Sequence, residues 1–171
     1  ERGKNEYHGD KGPLSVSDPR IKLELLEKFM DAAEEKGIPK VDDFNKGDNF
    51  GCGYFQVTEK NGLRCSAAVG YLNPIKKRGN LKIEINCHVK KINFEGTKAS
   101  SVSFWKNGQI HTLKANREIL LSAGSIGSAQ ILQVSGVGDA EKLRKLGIKI
   151  IKELKGVGQN LQDHLMFRPV Y

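Results

Sequence analysis

The sequence predicts a mixed α/β fold, and three observations lead to this prediction. Residues 81–87 alternate strictly between apolar and polar side chains, as expected of a half-buried strand. Apolar residues at helical spacing follow the cap and turn residues Ser17, Asp18 and Pro19. The run at residues 118–124 is largely apolar and ends in small residues, which is typical of a strand buried on both faces of a parallel sheet.

The N-terminal part of the sequence is predicted to form two helices and one strand. A helix is predicted at residues 19–36, because a cap precedes the apolar periodicity and a glycine follows it. Residues 51–58 are predicted to form a short strand whose glycines let another backbone or a ligand approach closely. The small residues at 66–72 predict a second helix that stops before Pro74.

The middle of the chain is predicted to form a small antiparallel meander on the surface of a larger sheet. The pair Asn107 and Gly108 favours a tight hairpin turn between its last two strands. Strands are predicted at residues 81–87, 89–94, 101–105 and 110–113.

The C-terminal part predicts a return to alternating helices and strands. The buried strand at residues 118–124 is followed by a predicted helix, and Asp139 is expected to cap another short helix that Gly147 ends. A loop is expected at residues 156–164. These further elements are predicted at residues 125–134 (helix), 140–146 (helix) and 148–151 (strand).

The composition is that of an ordinary globular domain. Of the 171 residues, 38% are hydrophobic and 28% are charged, which excludes a disordered, collagen-like or disulfide-framework protein. No apolar run approaches the roughly 20 residues that span a bilayer, so we expect no transmembrane segment. The net charge is +8, but the lysines alternate with acidic residues. This pattern favours a solvated lysine-rich surface over a nucleic-acid partner.

Cysteines and histidines form no recognisable metal motif. The three cysteines have no CxxC spacing and the four histidines form neither HxxxH nor HExxH, so we expect no metal and a reducing compartment. The residues are Cys52, Cys65, Cys87, His8, His88, His111 and His164.

The best candidate for a binding segment is the junction at residues 122–127. Small residues between a strand and a helix let a cofactor lie against main chain at the helix N-terminus, where N–H groups and the helix dipole favour an anion. Close packing of the helix on a sheet explains the same glycines equally well. The segment lacks the GxGxxG, P-loop and GxSxG patterns, so these residues alone leave both interpretations open.

Two pairs of adjacent titratable residues suggest catalysis more weakly. Asp42 and Asp43 are adjacent carboxylates that could act as general acid and base, but in a loop rich in Asn and Gly we favour solvated turn residues. Asp163 and His164 suggest a dyad, but sequence neighbours usually point in different directions, so we favour a structural role.

Residues 117–138, which read REILLSAGSIGSAQILQVSGVG, resemble the second signature of the glucose-methanol-choline (GMC) family of FAD-dependent oxidoreductases. Ala129 departs from that signature, where the family usually has Pro or Ser, but alanine is a good helix former and we expect the helix to survive. Other segments are similar to the family in order and spacing, so the resemblance covers nearly the whole chain. They are residues 12–16, 42–45, 53–58, 64–68, 80–83, 143–148 and 154–164.

The resemblance implies FAD as the cofactor and four cofactor-binding residues. Val89 resembles the family's valine whose backbone meets the adenine. Ser122, Ala123 and Gly124 resemble the strand end that passes close to the cofactor. The resemblance assigns no metal ligand and no catalytic residue, because the family's GxGxxG motif and its catalytic histidine lie outside these residues.

The resemblance also implies a domain division. Residues 1–75 are expected to be part of a substrate-binding domain, residues 76–165 part of a Rossmann-like FAD-binding domain with its antiparallel meander, and residues 166–171 the start of a return into the substrate domain.

The implied function is that of a fragment of an FAD-dependent alcohol oxidoreductase. Such an enzyme passes hydride from a primary or secondary alcohol, choline-like or aliphatic, to flavin, and we expect the chain alone to be inactive. Residues 54–58 and 158–164 look most like bacterial alcohol and choline dehydrogenases, which implies a quinone or another carrier as electron acceptor. We expect a cytoplasmic location, with a peripheral place at the membrane as the alternative. The competing hypothesis is a non-catalytic α/β binding module whose basic surface meets an anionic partner.

Overall fold

The computed structural model describes residues 2–168 and divides into two compact units between Ile83 and Glu84. We call residues 2–83 unit 1 and residues 84–168 unit 2. The predicted mixed α/β character is confirmed, because helices alternate with antiparallel and parallel strand pairs. Within residues 2–168, the helices are all too short or too polar to cross a bilayer.

Unit 1 contains helix α1, Glu24–Glu35, which begins five residues later than predicted. The expected cap is used elsewhere, because the carboxylate of Asp18 accepts hydrogen bonds from Arg2 Nε at 3.1 Å and Nη2 at 2.8 Å. Leu23 takes the N-cap position and makes no side-chain cap bond. Although α1 is amphipathic in sequence, none of its residues is buried.

Two short elements follow in unit 1. Strands β1 (Glu59–Lys60) and β2 (Leu63–Arg64) form an antiparallel hairpin over Asn61 and Gly62, whose φ angles are 54° and 77°. The sequence pattern predicts no strand here, since each strand is only two residues long. The helix predicted at residues 66–72 is confirmed as a short π-helix, Ala68–Leu72.

The strand predicted at residues 51–58 is wrong. Only isolated bridges form there, between Lys40 and Cys52 and between Ser17 and Val57. A Cβ atom at Gly53 would lie 2.0 Å from the carbonyl oxygen of Val41. The glycine therefore admits a neighbouring backbone rather than a ligand, and the crossing is too brief to extend into a ladder.

Unit 2 begins with the predicted meander. Strands β3 (His88–Glu95), β4 (Lys98–Lys106) and β5 (Gln109–Lys114) pair antiparallel in the order β3-β4-β5. Asn107 and Gly108 have φ angles of 51° and 77°, which confirms the tight hairpin turn. Within residues 2–168 this sheet has three strands, so the larger sheet expected beneath it is not formed.

The strand predicted at residues 81–87 is also wrong, because the segment is irregular and Ile85 remains 69% exposed. Alternation yields a strand only where another backbone pairs with it, and the described residues provide no such partner. The segment is instead tied to the meander by an ion pair between Glu84 and Lys106. The hydrogen bond to Glu84 raises the pKa of Lys106.

The C-terminal part of unit 2 is a small β-α-β arrangement that follows helix α2. Asp139 caps α3 as predicted, with its Oδ1 accepting hydrogen bonds from the N–H groups of Glu141 at 3.0 Å and Lys142 at 3.2 Å. These hydrogen bonds lower the pKa of Asp139 below its usual value, and the one from Lys142 has the larger effect. The strand predicted at residues 148–151 lies slightly later and pairs parallel with β6. The elements are α2 (Gly124–Val134), β6 (Val137–Gly138), α3 (Ala140–Lys145) and β7 (Lys152–Glu153).

Helix α2 contacts both β3 and β6, and the buried apolar residues of unit 2 lie on the meander and on this β-α-β arrangement. Gly136 has a φ of 93°, and a Cβ atom there would lie 2.3 Å from the carbonyl oxygen of Lys149, so the chain crosses itself closely at this point. The buried apolar residues are Ile92, Phe104, Val137, Ala140 and Leu143.

Candidate cofactor-binding site

The turn at Ser122, Ala123 and Gly124 leads directly into helix α2. Gly124 has a φ of 79°, a left-handed conformation that side chains rarely adopt, and a Cβ atom there would meet nothing within 4 Å. The N–H group of Ala123 donates a hydrogen bond to Ser128 Oγ at 3.0 Å. The turn is therefore fixed from within the helix while its outer side stays open.

The N-terminus of α2 has no anionic group of its own. Ala123 occupies the N-cap position and has no side-chain acceptor, and the first turn contains no acidic residue. Ser122, Ala123, Gly124 and Ser125 are all exposed. In a helix of 11 residues, this leaves the positive end of the dipole and the first-turn N–H groups facing open space. The residues present therefore fit an anionic cofactor lying against the main chain.

The buried strand predicted at residues 118–124 is not formed, which corrects one premise of this site. The segment before Gly124 is irregular, and Leu120 is 81% exposed. An apolar run becomes a central strand only between two neighbouring strands, and within residues 2–168 none pairs with it. The helix predicted at residues 125–134 is confirmed, with its first residue at Gly124.

The fourth predicted cofactor-binding residue, Val89, lies in β3 beside Phe104 of β4. It is 37% exposed, at a point where the pairing register shifts before Lys91. Among the described residues no hydrogen bond or ion pair joins Val89 to the turn at Ser122–Gly124. The two parts of the predicted site therefore lie on separate elements.

Ser135 connects these two elements. Its Oγ accepts a hydrogen bond from the N–H group of Ile92 in β3 at 2.8 Å and donates one to the carbonyl oxygen of Ile131 in α2 at 2.5 Å. Ser135 is 7% exposed. It therefore fixes the C-terminal end of α2 on the strand that carries Val89.

Gln133 fixes the loop that follows β7. Its Nε2 donates a hydrogen bond to the carbonyl oxygen of Val157 at 3.1 Å. A Cβ atom at Gly158 would lie 2.4 Å from the same Nε2 and would displace the Gln133 amide, and the φ of 76° at Gly158 favours glycine. This contact joins residues 24 positions apart, and no local sequence pattern indicates it.

The paired acids of unit 1 behave differently from each other. Asp42 is exposed and pairs with Lys46 at 2.5 Å, which lowers the pKa of Asp42. The side chain of Asp43 is only 7% exposed, and its Oδ2 lies 3.1 Å from His8 Nε2. The prediction that both acids are solvated turn residues is therefore wrong for Asp43 in its solvation, since the side chain is buried beside His8. Its turn role is confirmed, because Asp43 Oδ1 accepts a hydrogen bond from the N–H group of Asn45 at 2.9 Å.

The other predicted groups form no site. The side chains of Asp163 and His164 are 100% and 97% exposed, and His164 Nδ1 lies 3.8 Å from Asp163 Oδ1. Cys52, Cys65 and Cys87 are free thiols. Within residues 2–168 no cluster of His, Cys, Asp and Glu has the arrangement of a metal site.

Comparison with known proteins identifies the sequence family. A family model described as GMC oxidoreductase matches residues 4–166. The chain is 44% identical to the mitochondrial choline dehydrogenase of Mus musculus, over 96% of this chain and 28% of that protein. It is 46% identical to the oxygen-dependent choline dehydrogenase 1 of Chromohalobacter salexigens, over 95% of this chain and 30% of that protein. The chain thus spans less than a third of the length of these relatives.

Solved structures share the fold. An FAD-dependent oxidoreductase from Chaetomium thermophilum matches with a TM-score of 0.85 and 34% identity, over 91% of this chain and 27% of that chain. Pyridoxine 4-oxidase from Mesorbium loti matches with a TM-score of 0.85 and 28% identity, over 92% of this chain and 31% of that chain. The fold is therefore that of FAD-dependent oxidoreductases, and an oxidoreductase explains the sequence better than the competing non-catalytic module.

Proposed function

Because the chain belongs to the GMC oxidoreductase family, we propose that it is the central part of an FAD-dependent alcohol oxidoreductase that oxidises a primary or secondary alcohol, choline-like or aliphatic. The choline dehydrogenases among its relatives support the substrate class. The whole enzyme's activity is a proposal because the chain covers only 28% to 30% of those two proteins.

The observation that carries the proposal is the open turn at the start of α2. Ser122, Ala123 and Gly124 are exposed, and although Ser128 Oγ accepts the N–H group of Ala123, no side chain of the first turn places a negative charge at this end of the helix. We assign these three residues to one edge of FAD, with small side chains so that the cofactor can lie against the backbone. The main chain at Val89 is assigned to the adenine.

When bound, FAD supplies the two-electron acceptor for the hydride of the alcohol. The residues of this chain contribute binding and orientation. Ser128 fixes the turn and Ser135 fixes α2 on β3, so the binding groups are held before the cofactor arrives. We assign no catalytic base to this chain, since its exposed Asp163 and His164 have no geometry for that role.

The domain division remains part of the proposal. We assign residues 1–75 to a substrate-binding domain and residues 76–165 to the FAD-binding domain. Residues 166–171 are assigned to the return into the substrate domain, and residues 169–171 lie outside the described part of the chain.

The electron acceptor is proposed to be a quinone or another carrier rather than oxygen. The name of the mitochondrial choline dehydrogenase states no acceptor, whereas that of the bacterial relative states oxygen dependence. We propose a cytoplasmic location, with attachment at a membrane surface as the alternative. Oxygen consumption during choline turnover, measured beside reduction of a quinone analogue, decides the acceptor.

The binding assignment is tested with Gly124→Leu in the full-length protein that contains this chain. We expect flavin occupancy per folded protein to fall at least about tenfold, because the side chain enters the space assigned to FAD and strains a left-handed residue. Flavin absorbance is measured beside circular dichroism. Ile126→Ala is the matched control, since Ile126 is 72% exposed in the same helical turn.

Full flavin occupancy in Gly124→Leu contradicts the assignment of Ser122, Ala123 and Gly124. Wild-type protein that contains flavin but turns over neither choline nor a simple alcohol with any acceptor contradicts the proposed reaction.

A further inference from the structure

One face of the meander carries a pair of exposed apolar side chains on the neighbouring strands β4 and β5. Trp105 in β4 pairs directly with His88 in β3 and Ile110 in β5. Directly opposed residues lie on the same face of a sheet. Trp105 and Ile110 remain 42% and 48% exposed. We call this side the outer face, because the opposite side carries the buried residue Ile92.

Lysines surround this apolar pair. Lys90 Nζ lies 5.6 Å from the centre of the Trp105 ring. Lys91 pairs with Ser103 in the next row of the same face, and Lys114 pairs with Ser101 in the row beyond that one. All three lysines are exposed, and none makes an ion pair within residues 2–168. The outer face therefore presents a small apolar centre with uncompensated positive charge around it.

The charge of the outer face is not an average property of the chain. The three strands contain five lysines and one acid, Glu95, which lies opposite Lys98 at the far hairpin. Unit 2 has 13 basic and 7 acidic residues in the sequence from 84 onward, whereas residues 1–83 have 15 and 13. The surplus charge is thus concentrated in unit 2.

A polar network lies beside the apolar pair on the outer face and argues against deep insertion into a bilayer. Asn93 Nδ2 donates hydrogen bonds to Ser101 Oγ at 3.0 Å and Ser103 Oγ at 2.8 Å. Ser103 Oγ in turn lies 3.2 Å from Thr112 Oγ1. Membrane-binding surfaces bury a broad apolar face below the headgroups, and here polar side chains occupy that position. An aromatic anchor surrounded by charged groups is instead the arrangement of a protein interface.

We propose that the outer face docks an acidic segment of a partner protein, with an apolar side chain on Trp105 and Ile110 and carboxylates on Lys90, Lys91 and Lys114. The positive charges speed encounter and select against basic partners. The apolar pair supplies the short-range contact that holds the segment in place. Docking here is separate from the alcohol oxidation proposed above.

The test uses the FAD-loaded full-length protein and a labelled synthetic peptide of glutamates around a central Phe-Leu pair. Fluorescence anisotropy gives the affinity. We expect saturable binding that weakens at least about tenfold in Trp105→Ala, since aromatic anchors dominate such interfaces. The triple variant Lys90→Gln, Lys91→Gln, Lys114→Gln should also weaken binding about tenfold at low salt, and the difference should shrink at high salt.

The matched control removes the same charge from another surface of unit 2, as Lys149→Gln, Lys152→Gln, Lys155→Gln, all exposed residues. It should retain wild-type affinity. Flavin absorbance and circular dichroism confirm that each variant is folded. Equal weakening in the control means that only net charge matters and overturns the proposal. Equal binding of a lysine peptide also overturns the proposal. The proposal is likewise overturned if anionic-lipid vesicles bind and this binding falls more than peptide binding does when Trp105 and the three lysines are replaced.

Discussion

Unit 2 buries five apolar side chains, whereas within residues 2–83 the buried apolar side chain is that of Cys65. Unit 1 relies on polar contacts instead. Asp43 lies beside His8 and accepts a hydrogen bond from the N–H group of Asn45 at 2.9 Å. Asp18 pairs with Arg2, and Lys40 joins α1 through Asp31 at 2.6 Å. The stability of the two units therefore depends on different interactions. Unit 2 depends on buried apolar volume, and unit 1 depends on main-chain fit and ion pairs.

The largest expected effect lies in the core of unit 2. Leu143 of α3 is 2% exposed, and Leu143→Ala should lower the free energy of unfolding by about 2 to 5 kcal/mol through loss of apolar burial and a cavity. Denaturant unfolding of the chain, monitored by circular dichroism, measures the change.

Leu146→Ala is the control for this variant. Leu146 ends the same helix but is 72% exposed, so the loss should stay within about 0.5 kcal/mol. Similar losses for the two leucines would show that exposure does not separate core from surface in unit 2.

The next largest effect is expected where unit 1 depends on glycine. Gly53→Ala places a Cβ atom 2.0 Å from the Val41 carbonyl oxygen, and the backbone must move. We expect a loss of about 1 to 3 kcal/mol, the usual cost of overpacking. Gly79→Ala is the control, because it has open space and no left-handed φ. If Gly53→Ala leaves the free energy of unfolding unchanged, the bridge between Lys40 and Cys52 does not contribute to the stability of unit 1.

Local signals predicted the meander and the cap of α3 well, but not the cap of α1. A tight turn and a helix cap each depend on a few adjacent residues, so the local sequence is enough to predict them. The turn at Asn107 and Gly108 and the cap at Asp139 are the examples here. The strands predicted at residues 81–87 and 118–124 failed because a strand also needs a partner, which a periodic pattern does not reveal. Leu120, which the pattern places in a core, is 81% exposed.

The candidate site was predictable only in part. The small residues at Ser122–Gly124 indicated an open helix start, and the structure has one. The roles of these residues and of Val89 in binding FAD stay predictions. Two contacts join positions that are distant in sequence, so no sequence spacing indicates them. They are the contact of His8 with Asp43 and that of Gln133 with the loop at Val157.

A smaller and pH-dependent effect is expected at the cap of α3. Asp139→Ala should lower the Tm by about 2 to 4 °C near neutral pH, because two N–H groups lose their acceptor. The pKa of Asp139 is lowered in the folded chain, so its contribution is complete above the usual carboxyl pKa of 3.8 and disappears as the pH falls through the lowered value.

Thermal unfolding of wild type and Asp139→Ala across the acid range measures this dependence. The difference in Tm should narrow only below the usual carboxyl pKa. A difference that is constant down to the lowest pH would show that the charge of Asp139 does not matter. Asp139→Asn, which keeps a good cap, should retain most of the wild-type Tm near neutral pH.

The smallest effect is expected on the apolar stripe of α1, and it tests the comparison most directly. Leu25 and Phe29 lie on one face of the helix but are 80% and 56% exposed, and no residue of α1 is buried. Leu25→Ala and Phe29→Ala should therefore each change the free energy of unfolding of the chain by no more than about 0.5 kcal/mol. Denaturant unfolding measures both beside Leu143→Ala. A loss of about 2 kcal/mol or more in either variant would require that α1 buries its apolar face. Unit 1 would then have a hydrophobic core of the same kind as unit 2.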